Sequence, residues 1–283
     1  MTFAPESSQA DTPLNGPSSN VDSGASAVPS DVLLSLRGIS KSFGPVQAIQ
    51  NINLDIPAGK VTAVIGDNGA GKSTLIKTIS GIWSPSSGHM YWNGKEVHIH
   101  TPRDATELGI ATVYQDLALC DNLDIVQNLY LGNEPTKFGM LDEIKMELAT
   151  VQTLKDLAVT TVKSVRQKVG SLSGGQRQAV AVARAVTRES QLVIMDEPTA
   201  ALGVSQTAQV IGLIKTLASR GVAVIVISHN LTDVFEVADR VAVMYLGTLV
   251  SSGPVSNYDT GSAVDLITTG VSSRVPSPLA SAQ

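Results

Sequence analysis

The sequence predicts an α/β protein: a mainly parallel sheet flanked by helices, with an antiparallel β edge and an inserted helical segment. Three observations carry this. Short apolar runs of strand length, "VTAVIG" at 61–66, "QLVIMD" at 191–196 and "VAVIVI" at 222–227, lead into glycine or polar residues. Helical patterns alternate with them, the order expected of an α/β core. Composition agrees, since 43% of residues are hydrophobic but only 4% aromatic, which leaves aliphatic side chains to fill a buried sheet.

Each element follows in chain order. Residues 1–30 are rich in Ser, Pro, Ala, Asp and Asn and hold almost no large apolar residues, so they read as a disordered tail. The end from Val271 to Gln283 reads the same way, which leaves 31–270 as the folded body. "VLLSLRGISKSF" and "VQAIQNINLDI" look like strands of the edge sheet. After "VTAVIG", the stretch "KSTLIKTIS" sets Leu75, Ile76 and Ile79 on one helical face, with Gly81 as a stop. Asn93-Gly94 suits a type I′ hairpin turn. The region from about 116 to 190 holds mostly helical patterns and reads as the insert. "RVAVMYLGTLVSSG" closes the body as a strand pair around Gly247. No internal repeat is visible.

Charge and cysteine content narrow the function. The net charge is −5 and no Lys/Arg block appears, which argues against nucleic acid as the main partner. Cys120 is the only cysteine, so an intrachain disulfide is impossible. No stretch reaches the roughly 18 to 20 apolar residues of a spanning helix, and no secretory signal is visible. His98 and His100 alternate as strand residues would, without the further ligands a metal site needs.

The chemistry begins at "GDNGAGKST", residues 66–74. Gly66, Asp67, Asn68, Gly69, Ala70, Gly71, Lys72, Ser73 and Thr74 follow a strand and open a helix. Glycines let backbone N–H groups turn inward around phosphate oxygens, and the helix points its positive end at the same charge. Lys72 reaches the β- and γ-phosphates, and Ser73 can ligate Mg²⁺. Asp196 ends a buried apolar strand, where a carboxylate is costly unless it serves a cation. Glu197 follows, able to polarise an attacking water. In "LSGGQRQAVAVARA", Ser173 is an N-cap residue, and Gly174 and Gly175 expose backbone donors at a second helix start.

The last string, with Gln176, resembles the signature motif of ATP-binding cassette (ABC) ATPases, and the other motifs occur in the family's order. The resemblance spans about 32–270. It implies a P-loop NTPase (RecA-like) core and ATP hydrolysis with Mg²⁺ held by Ser73, Asp196 and Gln115. It implies that Phe43 stacks on adenine, that Gln115 senses a transmembrane partner, and that His229 is the switch histidine near the γ-phosphate. It also implies a head-to-tail dimer, each ATP lying between one subunit's phosphate loop and the other's Ser173–Gln176. One departure stands out: in "TAALGV", Gly203 replaces the family's aspartate that helps couple the two sites.

Three strings, "GDNGAGKST", "TPRDATELGIATVYQDLALCDNLDIVQNLYLGNE" and "TAALGV", are similar to ATPase subunits of bacterial ribose-, xylose- and fructose-type importers. This implies import of a monosaccharide, a membrane permease, an extracytoplasmic sugar-binding protein, and a peripheral place on the cytoplasmic face of the cell membrane. The segment from Gln115 to about Glu134 would then receive a helix of the permease, or serve as insert core. Another cargo, or a mechanical ATPase outside transport, are the alternatives. The latter is disfavoured because no heptads lie between the phosphate loop and the signature.

Overall fold

The structure is a computed structural model that describes residues 31–275. The N-terminal tail expected over 1–30 lies outside the described residues, as do 276–283 of the C-terminal one. Residues 271–275, read from sequence as tail, are placed: Val275 packs against the apolar cluster that includes Tyr258, Ala263 and Leu266, and Arg274 lies 3.7 Å from Asp259.

The chain opens with β1 (Val32–Phe43) and β2 (Val46–Pro57), an antiparallel pair, followed by β3 (Val61–Gly66) and α1 (Lys72–Ile79). Next come β4 (Ser87–Trp92), β5 (Lys95–Val97), α2 (Pro102–Glu107) and β6 (Ile110–Val113). The insert holds α3 (Ile125–Tyr130), β7 (Thr136–Lys137), β8 (Met140–Leu141), α4 (Glu143–Asp156) and α5 (Gly174–Thr187). The core resumes with β9 (Leu192–Asp196), α6 (Val204–Ser219), β10 (Ala223–Ile227), α7 (Leu231–Val237), β11 (Arg240–Tyr245), β12 (Thr248–Pro254) and α8 (Thr260–Thr269).

Two sheets and the insert realise the predicted fold class. The larger sheet runs β12-β11-β3-β10-β9-β6, parallel except for β12. Its central strands are apolar on both faces: all of β3 and β10 is buried, as a parallel sheet covered on both sides requires. The smaller sheet, β2-β1-β4-β5, is antiparallel and forms the edge. Asn93 and Gly94, at φ 49° and 75°, make the expected type I′ turn between β4 and β5.

The helices bury the faces their sequences offer. Leu75, Ile76 and Ile79 of α1 are almost wholly inaccessible, as are Val180, Val182 and Ala183 of α5. Two details differ from expectation. The insert includes the β7–β8 hairpin, whose two-residue strands are too short to carry a period. β5 stops at Val97, so His98 and His100 leave the strand, although their rings still stack at 6.2 Å.

Candidate functional site

The phosphate loop is set by contacts from β11. Gly66 ends β3 against the Met244 carbonyl, and a Cβ at this position would overlap that oxygen. Asp67 then turns the chain, its Oδ1 accepting from Asn68 N at 2.7 Å and its carbonyl from Ala70 N at 3.1 Å. Lys72 is only 8% exposed, and its Nζ donates to the Gly66 and Asp67 carbonyls at 2.8 and 2.9 Å. Burial holds the Lys72 ammonium below the usual lysine range, opposed by the charges of Glu197, Asp67 and Asp196. Asn68, Gly69, Gly71, Lys72, Ser73 and Thr74 line one cavity of 440 Å³. Ser73 is exposed at the first turn of α1.

The acidic pair stands at the end of β9, which β10 separates from β3. Asp196 is half-buried where β9 ends. Burial first, and Glu197 second, raise its carboxyl above the usual carboxylate range, while Lys72 and Lys77 pull it back. Among the described residues its carboxylate accepts no hydrogen bond, so it is free to meet a cation. Glu197 takes a left-handed backbone, φ 50°, pinned where its N–H donates to the Ile227 carbonyl at 2.9 Å. Non-glycine residues held there cost about 1 kcal/mol or more and concentrate at functional sites. Its Oε2 lies 2.8 Å from Nδ1 of His229, just past β10, and that imidazole is otherwise 73% exposed.

A second cavity, of 460 Å³, brings Gln115 together with Gly174, Arg177, Gln178 and Glu197. Gln115 and Glu197 thus border one cavity, with no hydrogen bond between them among the described residues. Ser173 caps α5: its Oγ accepts from Gln176 N at 3.4 Å, and Gln176 Oε1 accepts from Ser173 N at 2.9 Å. None of Ser173, Gly174, Gly175 and Gln176 lines the phosphate-loop cavity. Phe43 also stays out of that lining; its ring meets Trp83 edge-on at 4.6 Å. Gly203 caps α6 at φ −74°, ψ 163°, and a Cβ there would meet open space, so neither backbone nor packing demands glycine.

A glycine-wrapped lysine facing a strand-end Asp-Glu pair is a nucleotide site in form, and the family comparison agrees: a model described as ABC transporter matches residues 49–200. The chain belongs to the ABC transporter family. This cassette is an ATPase, ATP hydrolysis being the activity of the family. It is 43% identical over 243 residues to the fructose import ATP-binding protein of Rhizobium meliloti, a match covering 83% of the cassette and 94% of that protein. Identity to the xylose/arabinose import ATP-binding protein of Sulfolobus acidocaldarius is 45% over 218 residues, covering 77% and 86% respectively. The ribose import ATP-binding protein of Streptomyces avermitilis is 39% identical over 79% of the cassette, which spans only 44% of that longer relative. Among solved structures, a nucleotide-free ATP-binding cassette of an ABC transporter superposes with TM-score 0.71 at 27% identity, over 79% of this chain and 91% of that one. Another in its ADP conformation gives 0.71 at 26%, over 84% and 95%.

Several residues of the cassette act around the site without having a sequence signature. Asn128 is fully buried in α3; its side chain accepts from Cys120 N at 2.8 Å and donates to the Cys120 and Asp124 carbonyls. It braces the stretch after Gln115, and an asparagine inside the apolar run "DIVQNLYLG" was its only signal. Thr199 Oγ1 donates to Asp233 Oδ2 at 2.7 Å, tying the turn after Glu197 to α7, which follows His229. Arg184 and Arg188 line a 250 Å³ groove between α5 and the α2–β6 segment. No ion pair reaches either guanidinium among the described residues.

Proposed function

We propose that the cassette supplies the ATP-driven stroke of a monosaccharide importer. The observation that carries this is the 43% identity to a fructose import protein over nearly that protein's whole length, in a chain that retains Lys72, Asp196, Glu197 and His229 together.

In this reading two copies pair head to tail. ATP lies between the loop Gly66–Thr74 of one and Ser173–Gln176 of the other, with Phe43 beside the base. A lone subunit lacks half the site, since the signature stays out of its own phosphate-loop cavity. The oxygen donors of Ser73, Asp196 and Gln115 suit Mg²⁺, a hard cation that keeps waters and phosphates as its remaining ligands. Among the described residues no cluster of three or more His, Cys, Asp or Glu could hold a metal alone, which agrees with a cation arriving with its nucleotide. When bound, magnesium neutralises charge on the phosphates.

The protein groups then divide the work. Lys72 gives up the Gly66 and Asp67 carbonyls to meet phosphate oxygens. Glu197 orients the attacking water and takes up its proton. His229 holds Glu197 in place and approaches the γ-phosphate. ATP binding closes the dimer and moves the permease, and hydrolysis with phosphate release reopens it.

No described helix is long and apolar enough to cross a membrane. In the proposed assembly the cassette sits peripherally on the cytoplasmic side, beneath a permease served by an extracytoplasmic sugar-binding protein. The groove bearing Arg184 and Arg188, beside the stretch that begins at Gln115, receives a cytoplasmic helix of that permease. The test is affinity capture of the tagged cassette from detergent-solubilised membranes, then sugar uptake in vesicles holding the captured complex. ATP-dependent uptake of a monosaccharide supports the reading. A complex that moves only another cargo, or no permease at all, removes it.

A further inference from the structure

We propose that Leu246, with Val46, forms an apolar wall against which the nucleoside end of ATP rests. This rests on the reading of the phosphate-loop cavity as the ATP site. The cavity is lined on one side by the loop 68–74, and on the other by Val46, Gln47, Ala48, Leu246 and Gly247. Leu246 and Val46 are its large apolar residues outside the loop, and they are 74% and 62% exposed. Val46 pairs with Phe43 across the β1–β2 turn, so the wall begins beside the aromatic ring.

The mounting of Leu246 is rigid. It occupies the first position of the turn between β11 and β12, at φ 44°, with Gly247 at φ 81°. Gly247 N donates to the Ala70 carbonyl of the phosphate loop at 3.1 Å, and its own carbonyl accepts from Gln50 N at 2.8 Å. A Cβ on Gly247 would lie 2.9 Å from the Ala48 carbonyl, so the turn is pressed against β2. Leu246 is therefore fixed relative to both strand and loop.

Leucine is a poor choice for this backbone. Such a turn favours Asn followed by Gly, because a left-handed residue with an ordinary side chain is strained. The fold returns nothing for that strain, since the side chain stands in solvent. Both costs are offset if a ligand covers it. A nucleobase and ribose, reaching out from phosphates held at Lys72 and Thr74, present an apolar face of the right kind. The Leu246 and Val46 side chains carry no hydrogen-bonding group, so they shield that face from water without reading base edges.

The test compares ATP with inorganic tripolyphosphate, which carries the phosphates and lacks the nucleoside. Binding of each, with magnesium, is measured by calorimetry for the wild type, Leu246→Asn and Leu246→Met. Asn suits the turn, so the Leu246→Asn protein keeps or gains thermal stability. The expected result is ATP affinity about five- to tenfold weaker in Leu246→Asn, the scale of losing one partly covered leucine, with tripolyphosphate affinity unaltered and ATP affinity regained in Leu246→Met. Unaltered ATP affinity in Leu246→Asn overturns the proposal, as does an equal loss for both ligands, which would place the effect in the loop. If the wild type binds neither ligand, the reading of the site itself fails.

Discussion

Glu197 and His229 touch at 2.8 Å, Oε2 to Nδ1, although they leave different strands and lie far apart in sequence. β9 and β10 are parallel neighbours with Asp196 opposite Ile227, so both side chains emerge at the same edge of the sheet. The contact joins the acid to the imidazole across the β9–β10 pair.

His229→Ala therefore removes the group that holds Glu197. Turnover is expected to fall at least about hundredfold, within the range for losing a group that serves proton transfer. ATP affinity should change far less, because His229 does not line the phosphate-loop cavity. Steady-state kinetics beside equilibrium binding check this; equal losses in both would assign His229 to binding.

Asp196 carries its charge at a cost of burial. Its carboxyl titrates above the unfolded value of 3.8, with burial as the main cause. Below pH 3.8 both states are protonated and there is no cost. As pH rises through the raised folded value the native carboxylate ionises, and the full cost is present above it. Asp196→Asn should raise the stability of nucleotide-free protein at neutral pH by no more than about 1 kcal/mol, since a half-open group is screened by water. The gain should vanish toward pH 3, and turnover should be lost. Thermal melts across pH, in magnesium-free buffer, test the sign.

Gly203 leaves α6 without a side-chain cap. Its backbone is compatible with any residue, and a Cβ meets nothing within 4 Å. Gly203→Asp should stabilise the fold by a few tenths of a kcal/mol, the ordinary difference between Gly and Asp at an N-cap. If the missing aspartate weakens coupling between paired sites, the same variant should also raise the Hill coefficient for ATP. An ATP response identical to wild type would show that coupling does not pass through this position.

The groove with Arg184 and Arg188 fits an acidic helix better than a neutral one. Burial, and then Arg188, lower the Arg184 guanidinium below its ordinary range, because two like charges share a partly enclosed space. Replacing both with Glu should abolish co-purification of a permease while leaving ATP binding intact. Capture from membranes, with nucleotide binding measured in parallel, decides it.

Much of this was legible in the sequence. The apolar runs of β3, β9 and β10 are buried on both faces and cannot be mistaken for amphipathic elements, and Gly66–Thr74 declares its own turn chemistry. The phosphate loop, the acid pair and the α5 cap sit where those strings put them. What escaped is tertiary. Leu246 reads as an ordinary residue of the strand pair around Gly247 until the turn is seen pressed against Ala48 and bonded to Ala70. Asn128 looks like a polar helix position until its carbonyl partners appear. Phe43 meets Trp83 edge-on, a contact between residues forty apart that no local pattern encodes.

The central claim is that two copies of this chain close around ATP. It is tested most directly by the mass of Glu197→Gln protein with magnesium-ATP, measured by light scattering after gel filtration, with Lys72→Ala/Glu197→Gln as control. The account predicts a dimer that retains ATP for the first and a monomer without nucleotide for the second. A Glu197→Gln protein that holds ATP yet stays monomeric, even with its permease supplied, contradicts it.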